Sequence, residues 1–238
     1  MGSWTEAPRW RGFGVFGYAV AVYLTQFDQG WPLLPRAASS KRSFQMRTVA
    51  ALYSRCFPRL RTASTRKIYV DCVERPDARV PGELDVVMVE IGFDEPAFQR
   101  ADAHGRKVIA LDALQAGALK VATAHRWPRA PFDAAYKAVR ALDFVNEWTW
   151  PRTRKVDASR RYFAYLACRH DSARFRAEIV IEDRRGVEIS RTLAIDELPD
   201  EFIFGGKLGK LVWTSPTKVE LFERFGERVC AVALPRSK

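Results

Sequence analysis

Between Arg160 and Ile195 the chain alternates apolar and polar residues with a period of two. Few patterns constrain a fold as tightly, because a slip of one residue would turn every side chain to the wrong face of a sheet. From Arg160 to Arg169, Phe163, Tyr165 and Ala167 fall on one side and Tyr162, Ala164, Leu166 and Cys168 on the other, which suits a strand in the middle of a sheet. From Arg174 to Glu182, Phe175, Ala177, Ile179 and Ile181 point one way while Arg174, Arg176, Glu178 and Glu182 point the other, interrupted only by Val180. That is the pattern of an antiparallel strand with one wet face. Asp183-Arg184-Arg185-Gly186 supplies a turn in which Gly186 can take a positive φ, and Val187, Ile189 and Leu193 resume the alternation. Three antiparallel strands are predicted, and hairpins of this kind occur in proteins of every function.

Upstream, Ile68, Val70 and Cys72 alternate from Lys67 on, and Asp85 to Ile91 reads as a buried strand that pairs with them. Lys107 to Ala110 is expected to add a short strand. Leu111, Leu114, Ala118, Val121, Ala122 and His125 share one helical face, with Pro128 and Pro131 stopping that helix. Phe132, Tyr136, Val139, Leu142 and Val145 mark a second helix ending near Trp148. Downstream, Leu211 to Thr214 and Arg228 to Leu234 read as strands, with Gly226 in the last turn, and residues 217 to 224 fit either a short helix capped by Ser215-Pro216 or, the reading adopted, a strand through Val219-Glu220-Leu221. The fold class expected is α+β: an antiparallel sheet packed by two central helices, in a single domain over residues 67–238 preceded by a basic extension over residues 1–66.

The net charge of +11 is unevenly spread. Residues 1–67 hold 11 Lys and Arg against two acids, Glu6 and Asp28, so nine of the net charges lie there and only two belong to the remaining 171 residues. The basic balance is a property of the first quarter of the chain. Within it, Arg47, Arg55, Arg59, Arg61, Arg66 and Lys67 are interleaved with Tyr53 and Phe57, a mixture that can grip phosphates and stack bases, or simply form a solvated arm. The apolar run Phe13 to Leu24 follows Arg9 and Arg11 but is too short to span a bilayer, which needs about 20 residues. It has the length of a secretory leader, yet no cleavage site follows directly, and Met46 raises the alternative of an over-extended start. A cytoplasmic protein without a transmembrane segment is expected.

Cys56, Cys72, Cys168 and Cys230 form no CxxC pair, and His104, His125 and His170 share no metal-ligand spacing, so neither a zinc site nor a cofactor is implied. Phe204-Gly205-Gly206-Lys207-Leu208-Gly209-Lys210 is not a phosphate loop, because Phe204 and Leu211 occupy the positions of its first Gly and its Ser or Thr. Glu83, Asp85 and Glu90 flank a strand and resemble the metal-binding carboxylates of restriction-type nucleases, but Gly92 stands where that pattern has a lysine. No GxSxG, HExxH or GxGxxG occurs.

The strongest binding candidate is Trp148-Thr149-Trp150-Pro151-Arg152-Thr153-Arg154-Lys155. Trp148 and Trp150 can anchor an interface or stack a base, Arg152, Arg154 and Lys155 can meet phosphates, and the alternative is that the tryptophans close the core. The expected function is macromolecule binding. A protein-interaction module of the immunity or adaptor kind is weighed against a nucleic-acid binder working through the basic arm and this loop, and against a hydrolase or nuclease with dispersed residues.

Overall fold

The computed structural model describes residues 21–25, 36–82, 84–150 and 153–234. The leader-like residues 13–20, the segment 26–35, Glu83, Pro151 and Arg152 lie outside these described residues. The α+β composition with antiparallel sheets is what the structure shows, and it is divided into two compact units, with the chain passing from one to the other at Val145 and Asn146.

In the first unit, β1 (Ala21–Thr25), β2 (Lys67–Val73) and β3 (Val86–Gly92) form a parallel sheet in that order, with Leu24 beside Val70 and Val70 beside Val89. Parallel neighbours need a long crossover, and α1 (Arg36–Cys56) supplies the one between β1 and β2. Ile68, Val70, Cys72, Val87, Val89 and Ile91 are buried as the alternation predicts. The helices cover that face. After the short α2 (Glu95–Arg100), α3 (Ala103–Ala124) starts where the Asp102 carboxylate accepts the Gly105 N–H at 2.6 Å. It buries Leu111, Leu114, Ala118, Val121 and Ala122, the face foreseen from their spacing. His125 caps its C-terminal end, half-buried against Trp127. Then α4 (Ala130–Ala141) buries Phe132, Ala135 and Val139.

Three expectations change here. Lys107 to Ala110 lies inside α3, because a short apolar run fits helix as well as strand and the Asp102 cap starts the helix upstream of it. The second helix stops at Ala141, where Asp143 and Phe144 turn into the left-handed region at φ 46° and 59°. Leu142 and Val145, read as core positions, are consequently exposed. Finally, Met46, Val49, Leu52 and Tyr53 on α1 are buried in one core with Ile68, Val70 and Leu111, where charge composition alone suggested a solvated arm. Tyr53 donates its hydroxyl to Gln115 Oε1 at 2.7 Å, and Gln115 donates in turn to Asp133 at 3.0 Å. Its ring is therefore not available to stack a base.

The second unit is antiparallel. β4 (Glu147–Thr149), β5 (Lys155–Val156), β6 (Tyr162–His170), β7 (Phe175–Asp183) and β8 (Glu188–Glu197) form one sheet, with β4 and β5 both paired to one edge of β6. After α5 (Glu201–Phe204), β9 (Lys210–Ser215), β10 (Lys218–Phe222) and β11 (Arg228–Ala233) form a second sheet in the order β11-β10-β9. The three strands read from the alternation are β6, β7 and β8, and Gly186 takes φ 78° in the turn between the last two. The face of β8 is reversed from the expectation: Val187, Ile189 and Leu193 are exposed, while Thr192 and Ser190 stand opposite buried Ile179 and Ile181, because a bulge beside Ala194 shifts the register. Ala164, Leu166, Cys168, Phe175, Ala177, Ile179, Ile181 and Ile195 on the first sheet share a core with Leu211, Val219, Leu221 and Val232 on the second. The four cysteines are free thiols. Burial pushes the thiol of Cys72 up to about 12 and that of Cys168 higher still, which makes them packing residues.

Candidate functional site

Of the Trp148–Lys155 segment, Trp148 and Thr149 belong to β4 and Lys155 to β5, both strands paired to β6, while Pro151 and Arg152 lie outside the described residues. Trp148 stands on β4 opposite Cys168 and faces the core, its ring centroid 6.1 Å from that of Phe175. Trp150 packs on the same core and donates its backbone N–H to the Leu166 carbonyl at 2.8 Å. Buried Thr153 donates its hydroxyl to the Trp150 carbonyl at 2.5 Å while accepting the Leu166 N–H at 3.2 Å. Arg154 lies on the opposite face of β6, 4.8 Å above the Phe163 ring and 5.8 Å from that of Tyr165, with Glu182 at 3.7 Å. Lys155, on β5, accepts the indole N–H of Trp213 on its carbonyl at 3.2 Å. The indoles thus face inward and the Arg154 guanidinium outward, so these residues do not share one surface.

Two other groupings appear at the ends of the long sheet. At one end β8 runs through Leu198 into α5, which the Asp200 carboxylate caps by accepting the Phe202 N–H at 3.0 Å. Within α5, Phe204 turns inward and stacks on Phe175 at 3.6 Å, beside buried His170. Its neighbours turn outward: Phe202 is 86% exposed, Ile203 40% and Leu198 45%. The β10–β11 turn lies alongside, because the Arg224 N–H donates to the Gly206 carbonyl at 3.0 Å. This pairing requires close approach of backbones: a Cβ on Gly209 would fall 2.3 Å from the Phe222 carbonyl oxygen. At the tip of that turn Phe225 is 90% exposed.

The other end carries the β5–β6 and β7–β8 turns. Asp157, almost fully buried, accepts the backbone N–H of Ser159 at 3.0 Å and of Tyr162 at 2.8 Å, together with the Ser159 hydroxyl. Burial opposes its charge, but these donors outweigh that penalty and hold the carboxyl below the usual range. In the neighbouring turn Asp183 accepts the N–H groups of Arg185 at 2.8 Å and Val187 at 2.9 Å. Arg184 donates to the Arg160 carbonyl and ties the two turns together. Arg160, Arg161, Arg184 and Arg185 are all exposed there.

Neither end was singled out from the sequence. The signals were present, as the pairs Arg160-Arg161 and Arg184-Arg185 and the turn dipeptide Phe225-Gly226, but only the strand register brings separate turns together.

In the first unit a cleft of about 380 Å³ is lined by Asp71, Asp77, Arg79, Met88 and Glu90 among others. Its acids serve the loop that follows β2. Glu90 accepts the Asp77 N–H at 2.8 Å, Asp77 accepts the Arg79 N–H at 2.8 Å, and Lys120 donates to the Asp77 and Glu90 carbonyls at 2.5 and 2.9 Å. Asp85, one of the nuclease-like acids, is chelated by Arg66, which holds its carboxyl below the usual range. Among the described residues no three His, Cys, Asp or Glu side chains are arranged to hold a metal ion, and no helix is long and apolar enough to cross a membrane. Compared with protein-family models, with curated proteins and with solved structures, the chain matches none of them.

Proposed function

We propose that this chain is a protein-interaction module that docks through the apolar end of its antiparallel unit. The observation that carries the reading is the pair Phe202 and Phe225, each nearly fully exposed on adjacent turns and flanked by Leu198 and Ile203. Aromatic side chains this exposed bury little surface in the fold itself, whereas exposed apolar groups close together mark interaction sites and aromatic anchors dominate interface energetics. The turns that hold them are built rather than loose, through the Asp200 cap, the Phe204–Phe175 stack and the Gly206–Arg224 hydrogen bond. Such preorganisation lowers the ordering cost of binding.

The test is affinity capture with the full chain from nuclease-treated native extract, comparing wild type with Phe202→Ala/Phe225→Ala. Each substitution removes an exposed group, so stability should move by no more than about 0.5 kcal/mol. A partner held by wild type should lose at least about 2 kcal/mol of binding. If every partner binds the double variant as tightly as wild type, this end is not the docking surface.

A further inference from the structure

We infer that the opposite end of the same unit is a phosphate-binding surface for nucleic acid, made by Arg160, Arg161, Arg184 and Arg185 on two adjoining turns. This proposal stands apart from the apolar end, since the two surfaces lie at opposite ends of β6, β7 and β8.

The contrast with neighbouring cations carries the argument. Elsewhere on this sheet arginines are matched by acids: Arg191 with Glu178 and Glu188 at 2.7 Å each, Arg174 with Asp196 at 2.7 Å, Arg154 with Glu182 at 3.7 Å and Arg169 with Glu147 at 3.6 Å. Among the described residues none of the four turn arginines pairs with a carboxylate. The acids of both turns are already engaged, Asp157 by Ser159 and Tyr162 and Asp183 by the Arg185 and Val187 amides. Four guanidiniums thus stand against two carboxylates that already accept backbone amides, so the two turns carry a net charge of +2 with none of these arginines held in an ion pair among the described residues.

The geometry fits a phosphate chain. The strand order β5-β6-β7-β8 sets the centres of the two turns two strand spacings apart, ~10 Å. Measured along a duplex axis, that span corresponds to about three charges of one strand at an axial rise of ~3.4 Å each. All four cations are arginine, whose planar fork meets phosphate oxygens in pairs. Arg161, 5.7 Å from the Tyr162 ring and 3.2 Å from the Ser159 hydroxyl, is partly oriented in advance. An acidic protein partner fits less well, because protein interfaces rely on aromatic and other large apolar anchors, and among the described residues the exposed large apolar side chains at this end are the aliphatic Val156, Val187 and Ile189. A phosphate backbone asks only for the cations.

The experiment uses the full chain and fluorescein-labelled DNA of about 20 nucleotides, single-stranded and duplex, with binding followed by anisotropy from about 50 to 200 mM salt. Wild type should bind at low salt with a steep log–log dependence. Arg160→Gln/Arg161→Gln/Arg184→Gln/Arg185→Gln should weaken binding at least ~10-fold and reduce the single-strand salt slope by about 3, at ~0.7 for each phosphate no longer neutralised. A control with the same loss of charge, Arg75→Gln/Arg100→Gln/Arg126→Gln/Lys137→Gln, at exposed positions outside the basic stretch before Lys67, should stay within ~3-fold of wild type. Because Arg184 also holds the Arg160 carbonyl, the double variant Arg161→Gln/Arg185→Gln keeps that hydrogen bond and should lose about half as much slope. Three results overturn the inference: no binding by wild type at the lowest salt, equal loss in the patch and control variants, or displacement of the DNA by poly-L-glutamate as effectively as by unlabelled DNA at equal charge.

Discussion

His170 shows what burial does to a single ionisable side chain. It is enclosed by Phe175 and Phe204, with its Nε2 3.2 Å from the Pro199 carbonyl, and burial lowers its pKa from 6.5 to about 4 despite the nearby Asp171 and Asp200. The folded state therefore holds His170 neutral while the unfolded chain protonates it near pH 6.5. Stability from this source is complete above pH 6.5 and is lost as pH falls towards 4, by about 3 kcal/mol in all. Carboxylates held low by partners, such as Asp157 and Asp196, keep their contribution until pH falls into their unfolded range near 4, so the window from pH 6.5 to 5 isolates the histidine. Denaturant midpoints of wild type should fall between pH 7 and pH 5, while those of His170→Leu should change much less. Parallel curves for the two proteins would show that the ring titrates freely in the folded state.

At the scale of elements, α3 sits on the parallel sheet as closely as it does because Gly117 has no side chain. A Cβ there would lie 2.4 Å from Val70 Cγ1 and 2.5 Å from Cγ2. In an open helix Gly→Ala gains up to ~1 kcal/mol, but overpacking typically costs about 1–3 kcal/mol, so Gly117→Ala should destabilise. Val70→Ala makes room for the added methyl, and the double variant should be more stable than the sum of the two single effects implies. Strict additivity in urea titrations would mean that helix and sheet do not touch as described. The helical spacing of Leu111, Leu114 and Val121 already showed which face of α3 is buried; the depth of its seat depends on one glycine against one valine.

For the whole molecule, the consequence with most reach is that α1 belongs to the core of the first unit. Met46, Val49, Leu52 and Tyr53 are each less than 3% exposed, and Tyr53 bonds Gln115 on α3. Truncating one such side chain typically costs about 2–5 kcal/mol. Removing all four, at about 8–20 kcal/mol if the costs add, is comparable to the whole ~5–15 kcal/mol that holds an ordinary domain together. A chain beginning near residue 60 should therefore leave the first unit without a cooperative transition by near-ultraviolet dichroism. If such a chain melts like the full-length protein, the helix is dispensable and the basic stretch before Lys67 is an arm after all.

The alternation from Arg160 to Ile195 determined three strands and, on β6 and β7, the faces that bury Leu166 and Ile179. On β8 it pointed to the wrong face: Val187, Ile189 and Leu193 are exposed, and a bulge beside Ala194, which shifts the pairing from Ala177–Ile195 to Glu178–Leu193, is what brings Ile195 into the core. The helical faces of α3 and α4 were legible from their periodicity. The parallel partnership of β2 and β3 was not, since strand pattern carries no direction, and α1 was hidden because its dense cations mask the helical spacing of Met46, Val49 and Tyr53. Both proposed surfaces were invisible in sequence order. Phe202 and Phe225, like Arg160 and Arg185, are some 23 to 25 positions apart, and only hydrogen bonds between turns make each set a neighbourhood. Local periodicity is written residue by residue. The meeting of turns depends on the register of strands between them, which only the folded chain decides.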